Sequence, residues 1–297
     1  MTIPFYKLQL AGNGFILIDL AVEDERPDAL TPDRYAAVAR RFCDRRFGVG
    51  ATGVIFLARD NTVRVFSAQG TPSVEADDAF LCAARFAFDS GRVTNKTIVF
   101  KTPRGEKTLE VLGAHEFRVA VGSPFALLGG HVITPGSDKL VEMIERDGIR
   151  TAYSALHIHE DVVVAFPQSL GTLSLSSFNA LLQKAFPGKT VMPVIARAVT
   201  RETLLIRTNP KKESGCCASA AAALTAAVCA GMSDKEAVVM FEQTGSDGQP
   251  DTVIARDRDN SRRLAAIWDT KINELYAIGS GGYLFEGKFD VPGDLEN

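Results

Sequence analysis

The sequence predicts an α+β fold of two similar lobes, each a mostly antiparallel sheet wrapped round a central helix. Three observations predict it. The chain has 297 residues, more than the roughly 100 to 150 of a usual single core. Strand and helix signals alternate along it without a low-complexity linker. The second half also repeats the first at a constant offset of 141 residues, the separation of Thr62 from Thr203. The lobes are read as residues 1–125 and 126–283, with 284–297 returning to the first.

The elements follow in order. Phe5 to Leu20 contains two short apolar runs broken at Ala11-Gly12-Asn13-Gly14, a tight turn presenting one polar side chain. Thr31 and Pro32, followed by Tyr35, Val38, Ala39 and Phe42, spell a capped amphipathic helix ended by Phe47-Gly48-Val49-Gly50. Strand signals run from Val54 to Leu57 and from Val63 to Phe66, before a helix from Asp77 to Ser90 closed by Gly91. Its run from Ala79 to Phe88 lacks a wide polar stripe, so sheet should surround it on most sides. The second copy sets Thr203-Leu204-Leu205-Ile206 against Thr62-Val63-Arg64-Val65, and Ser214-Gly215-Cys216-Cys217 against Ser73-Val74-Glu75-Ala76. An Ala-rich helix ending at Gly231 and the strand Val238 to Phe241 complete it, matching Gly91 and Thr97 to Phe100. Identity between the copies is low, so the order of elements and breakers carries the duplication. Two such lobes are expected to meet along a cleft with their helix N-termini facing each other, a favoured ligand site.

Composition narrows the function. With 46% hydrophobic and 23% charged residues the chain is ordinary for a folded protein, and a formal charge of -3 offers nothing to a nucleic-acid backbone. The apolar run Ala218 to Met232 is Ala-dominated and too short to span a bilayer, and Met1 to Leu20 shows neither a basic leader nor a cleavage site. A cytoplasmic protein with no nucleic-acid and no membrane partner is therefore expected. Cys43, Cys82, Cys216, Cys217 and Cys229 are odd in number and contain no C-x-x-C pair, which fits neither a disulfide scaffold nor a zinc ribbon. No metal site is expected. The oligomeric state is open, with a homodimer as one assembly.

Motifs along nearly the whole chain carry a family resemblance. Phe5-Tyr6-Lys7-Leu8 with Gly12-Asn13-Gly14-Phe15, Arg45-Arg46-Phe47-Gly48-Val49-Gly50, the stretches Phe66 to Phe86 and Glu213 to Ala223, and Ile278-Gly279-Ser280-Gly281 resemble those of diaminopimelate epimerases. The resemblance implies that family's duplicated fold. It also implies cofactor-free stereoinversion by two cysteines, one from each half, acting on opposite faces of a substrate α-carbon. Only one is present: Cys217 occupies the second cysteine's place, whereas Ala76 fills the first.

Cys217 can be read without the family. It is expected to precede the Ala-rich helix immediately, where unpaired amides and the positive end of the dipole favour a thiolate and can bind a carboxylate. A thiolate there can remove a proton beside a carboxylate while the amides stabilise the charge moving onto its oxygens. Cys216 and Cys217 also read as small apolar residues at a helix start. Cys43, Cys82 and Cys229 fall inside helical patterns and read as core. Ala76 cannot donate a proton, and the nearby candidates for a donor are Glu75, Asp77 and Asp78, although acids at a helix start more often read as an ordinary N-terminal cap.

The resemblance further implies ligand contacts at Asn13, Ser67, Asp77, Asp78, His157, Ala218 and Ser219. Of these, Asn13 is retained and Ser219 keeps a hydroxyl. Ser67 and His157 stand near places where the family has Asn, Gly53 where it has Gln, and Asp77-Asp78 where it has Gly-Asn. Asn209-Pro210-Lys211-Lys212 replaces a Glu-Arg pair. Lys211 and Lys212 read either as a carboxylate-binding cation or as a solvated loop. His157 and His159 alternate as on a strand and should face opposite ways, which argues against a shared metal.

Three function classes stand. The first is a cofactor-independent isomerase or epimerase acting beside a carboxylate of a small amino or organic acid, with Cys217 as base. In its 1,3-proton-shift variant, one base lifts and returns the proton. The second is a non-catalytic descendant that binds a small acid or a partner. The third is a hydrolase using Cys217 as nucleophile with a histidine, for which no local signature exists.

Overall fold

The computed structural model describes residues 2–23, 30–73, 76–135, 140–146, 148–167, 173–208, 215–242 and 263–291. In chain order the elements begin β1 (Thr2–Leu10), β2 (Asn13–Asp19), α1 (Leu20–Glu23), α2 (Tyr35–Cys43), β3 (Gly53–Leu57), β4 (Val63–Ser67), β5 (Pro72–Ser73) and α3 (Asp77–Asp89). There follow β6 (Thr97–Thr102), β7 (Gly105–Gly113), β8 (Glu116–Gly122), β9 (Phe125–Ala126), β10 (Val141–Arg146), β11 (Ile149–Ile158), β12 (Glu160–Phe166) and α4 (Leu175–Ala185). The chain continues through β13 (Met192–Thr200), β14 (Thr203–Thr208), α5 (Cys216–Cys229), β15 (Glu236–Phe241), β16 (Arg263–Asp269), β17 (Glu274–Gly279) and β18 (Gly282–Asp290). Two compact units result: Met1–Val119 with Gly279–Asn297, and Ala120–Ile278.

In the first unit six strands pair in the order β18-β1-β2-β3-β4-β5, antiparallel except for β2 beside β3. One face is covered by α2, whose Tyr35, Val38, Ala39 and Phe42 pack with Ile3, Phe5, Ile16, Ile18, Val54 and Phe56. On β1 this face is marked by the alternation Ile3, Phe5, Lys7. The helix α3 packs on β1, β2 and β3, burying Phe80 and Phe86. The turn between β17 and β18 runs hard against it, since a Cβ on Gly281 would lie 2.8 Å from the Cα of Cys82.

In the second unit β10 to β17 pair in sequence order, with β12–β13 and β14–β15 parallel and β9 beside β11. The Ala-rich α5 contacts β11 through β16. Its alanines keep the helix thin enough for the strands to close round it, and Cys216 through Ala227 are buried without interruption. A separate core forms where α4 packs Phe178, Leu181 and Leu182 against Tyr153, Ala155, Val163 and Ile195. Among the described residues no helix is long and apolar enough to cross a membrane.

Each unit contains the strand–helix–strand segment read from the duplication. The elements β4, α3 and β6 recur as β14, α5 and β15, at spacings within two residues of the offset. The outer strands run parallel in both, through the Thr62–Lys101 bridge in one and the Thr203–Val238 register in the other. Three local expectations need correction. Thr31 makes no side-chain cap, and a single 3-10 turn, Pro32–Arg34, precedes α2. The helix α5 starts at Cys216, so Cys217 lies within its first turn. Finally, His159 is not a strand residue: it has φ 59 at the turn between β11 and β12.

Candidate functional site

The first turn of α3 carries two buried acids, each close to a polar side chain. The residue before it, Ala76, has φ -127 and ψ 59 and is partly exposed. Asp77 is 5% exposed, and its Oδ1 lies 2.7 Å from Lys107 Nζ of β7. Asp78 is 2% exposed and accepts from Asn13 Nδ2 at 2.9 Å. Burial of a carboxylate is costly without such partners. The Gly12–Gly14 turn therefore delivers its one polar side chain to the helix start. Gly12 has φ 90 and Ala11 φ 49, a left-handed pair that lets the chain reverse within two residues.

The first turn of α5 contains no acid. Cys217 is 1% exposed, Cys216 7% and Ala218 6%. The Ser219 hydroxyl donates to the Gly215 carbonyl at 3.0 Å and lies 3.5 Å from the Met192 sulfur, so it is committed to its own helix turn. Three thiols elsewhere are raised by burial. Burial pushes Cys43 up to about 12 and Cys229 up to about 11. It raises Cys82 further still, with Asp78 adding to the effect.

Ser67 is buried, and its Oγ accepts from the amides of Gln69 and Thr71 at 3.2 and 3.3 Å. That hydroxyl holds the loop leading to α3. His157 is exposed on β11, with Nδ1 2.8 Å from Asp161 Oδ1. By strand alternation it shares the face of Tyr153 and Ala155, whereas the neighbouring Leu156 and Ile158 are buried on the other. Thus Asn13 and Asp78 are brought together, Cys217, Ala218 and Ser219 share one turn, and Ser67 and His157 are engaged locally. Glu75, Glu213, Lys211 and Lys212 lie outside the described residues.

Sequence reasoning missed three buried charges. Arg207, at the end of β14, donates to Glu242 Oε2 through Nε at 3.0 Å and through a terminal nitrogen at 2.6 Å, with both side chains almost wholly buried. Lys7, also buried, donates to the carbonyl of Gly50. Its signal was present in the alternation Ile3, Phe5, Lys7, which sets a lysine on an apolar face.

The fold is a duplicated α+β scaffold. It is similar to that of an Enterococcus faecalis phenazine biosynthesis protein of the PhzF family, with TM-score 0.62, 15% identity, and coverage of 98% of this chain and 100% of that one. A probable proline racemase from Agrobacterium radiobacter also shares it, at TM-score 0.57, 12% identity, and 98% and 93% coverage. No protein-family model matches the chain. Among sequence relatives, diaminopimelate epimerase 1 of Nostoc sp. is 30% identical over 303 residues, 97% of this chain and 100% of the relative. The diaminopimelate epimerase of Synechocystis sp. is 26% identical over 98% of this chain and 100% of its own length. The chain belongs to the diaminopimelate epimerase family, as a divergent member, and it is an isomerase-type enzyme.

Proposed function

We propose that this protein is a cofactor-independent isomerase acting at a carbon beside the carboxylate of a small amino or organic acid. Cys217 is its base, and its proton donor is not a cysteine. One observation carries the reading: the first turn of α5 holds thiols and no acid, while the duplicate turn of α3 holds Asp77 and Asp78 and no thiol. In the proposed step the Cys217 thiolate takes the proton and becomes a thiol, and the carbon's electron pair moves onto the carboxylate. The amides and dipole of a helix N-terminus offset that charge. In the one-face form the same thiol returns the proton and regains its thiolate; in the two-face form a group other than cysteine gives a proton, and the Cys217 thiol loses its own to solvent before the next turnover. The relatives' name points to amino acids as the first substrates to try.

The test is deuterium wash-in from D2O over a panel of amino and hydroxy acids. Wild-type protein should exchange the proton beside the carboxylate of at least one, and Cys217→Ser should stop it without loss of fold. Exchange surviving in Cys217→Ser would remove the thiol from the mechanism. A second reading, a binding-only descendant, draws on the 1% exposure of Cys217 and the methyl group at Ala76. Binding of a small acid with no exchange of its protons would favour that reading instead.

A further inference from the structure

Two glycine motifs of the sequence, Gly12-Asn13-Gly14 and Gly48-Val49-Gly50, meet at one buried ammonium. Lys7 is 7% exposed, and its Nζ donates to the carbonyl of Gly50. A Cβ on Gly14 would approach that Nζ to 3.2 Å, so the ammonium lies directly under the turn. The two turns are also joined by the Thr52 amide, which donates to the Gly14 carbonyl at 2.7 Å, ahead of the parallel register Phe15–Gly53. Glycine turns carry no side chains to fix them. Asn13, whose Nδ2 holds Asp78 at 2.9 Å, projects from the turn that Lys7 supports.

From this geometry we propose that Lys7 is a positioning residue: its ammonium fixes the Gly12–Gly14 turn, so that Asn13 holds Asp78 in place at the start of α3. The kinetic part of the claim rests on the isomerase reading, and the structural part does not. The titratable groups acting on Lys7 are the Cys43 thiol from α2, Arg45 just beyond it and the Cys82 thiol from α3, and Cys82 in turn feels Asp78. From the neighbouring strands it is opposed by the uncharged Phe285 and Ile16. Burial, the largest influence, draws the Lys7 ammonium down to about 8. It is therefore charged at neutral pH and is lost in mildly alkaline solution, where ordinary lysines keep their proton.

The test follows the Asn13 side-chain amide and the Lys7 ε-carbon by NMR as pH rises. Both should titrate together near pH 8. In Lys7→Met the Asn13 inflection should vanish, and in Lys7→Arg the neutral-pH position should persist to pH 10. An Asn13 signal that stays flat while Lys7 titrates would overturn the proposal. So would a Lys7→Met spectrum matching wild type at Asn13. If Lys7→Met does not fold, the wild-type titration and Lys7→Arg decide alone. Where exchange activity is found, kcat/KM should fall at least tenfold in Lys7→Met, and Lys7→Arg should outperform wild type at pH 9. Because the NMR result needs no turnover, absence of exchange would count against the isomerase reading without touching this one.

Discussion

At the residue scale, burial raises three thiols that the proposed mechanism does not use. Cys43, Cys82 and Cys229 have their thiols pushed up by desolvation, so limiting iodoacetamide at pH 7 should leave them unmodified. Labelling that does occur should map to the first turn of α5 and disappear in Cys217→Ser; a dominant Cys43 or Cys82 adduct would contradict the assignment. Lys7 supplies a second expectation. Its folded value of about 8 lies below the ordinary 10.5, so the unfolded chain binds more protons between those values and stability from this group must rise with pH there. Cys43 works in the opposite direction above pH 9, since its thiol is held protonated up to about 12 when folded. Taking the difference between wild type and Lys7→Met leaves Lys7 together with its coupling to Cys43 and Cys82. Denaturant unfolding should show that difference shifting by about 1–3 kcal/mol in favour of wild type between pH 7.5 and 10, once solvent screening is allowed for.

At the scale of elements, local chemistry explains where helices start and why certain glycines are fixed. Ser174 accepts the Ser177 amide at 3.1 Å at the start of α4, and Ser174→Ala should cost about 1 kcal/mol in chemical denaturation. Gly48 is constrained differently: a Cβ there would stand 2.3, 2.7 and 2.8 Å from the carbonyl oxygens of Arg41, Phe42 and Asp44. None of these is a flexible side-chain tip, so Gly48→Ala should destabilise by about 1–3 kcal/mol. Such features were legible in the sequence to different degrees. Periodicity placed α3 to within a residue because its apolar run ends sharply at Ser90 and Gly91. It placed the start of α5 late because Cys216 and Cys217 carry no capping signal and the N-cap is a glycine. The Asn13–Asp78 and Lys107–Asp77 contacts were beyond it, since each joins residues far apart in the chain through a fold that no local pattern encodes.

At the scale of the whole molecule, duplication has produced two helix starts of the same construction and opposite chemistry. One bears acids held by Asn13 and Lys107, the other thiols in a turn with no charged group. The proposed function has one consequence that tests whether both starts serve a single substrate. A lone thiol base can lift and return a proton on one face of a carbon, so exchange in the wild-type protein should run ahead of stereoinversion. Ala76→Cys would restore a thiol at the place where the family carries its first cysteine. Ala76 is partly exposed and lies outside the helix proper, so the added sulfur should cost less than about 0.5 kcal/mol of stability. The expected outcome is a gain of inversion relative to exchange, by about tenfold or more, read by chiral chromatography of a substrate that the wild-type protein already deuterates. Cys217→Ser in the same background should abolish the inversion, because inversion needs both thiols. A folded Ala76→Cys protein that exchanges as before and inverts no faster would mean that the α3 start does not reach the reacting carbon. Cys217 would then remain as a single base, and the 1,3-proton shift would be the surviving form of the mechanism.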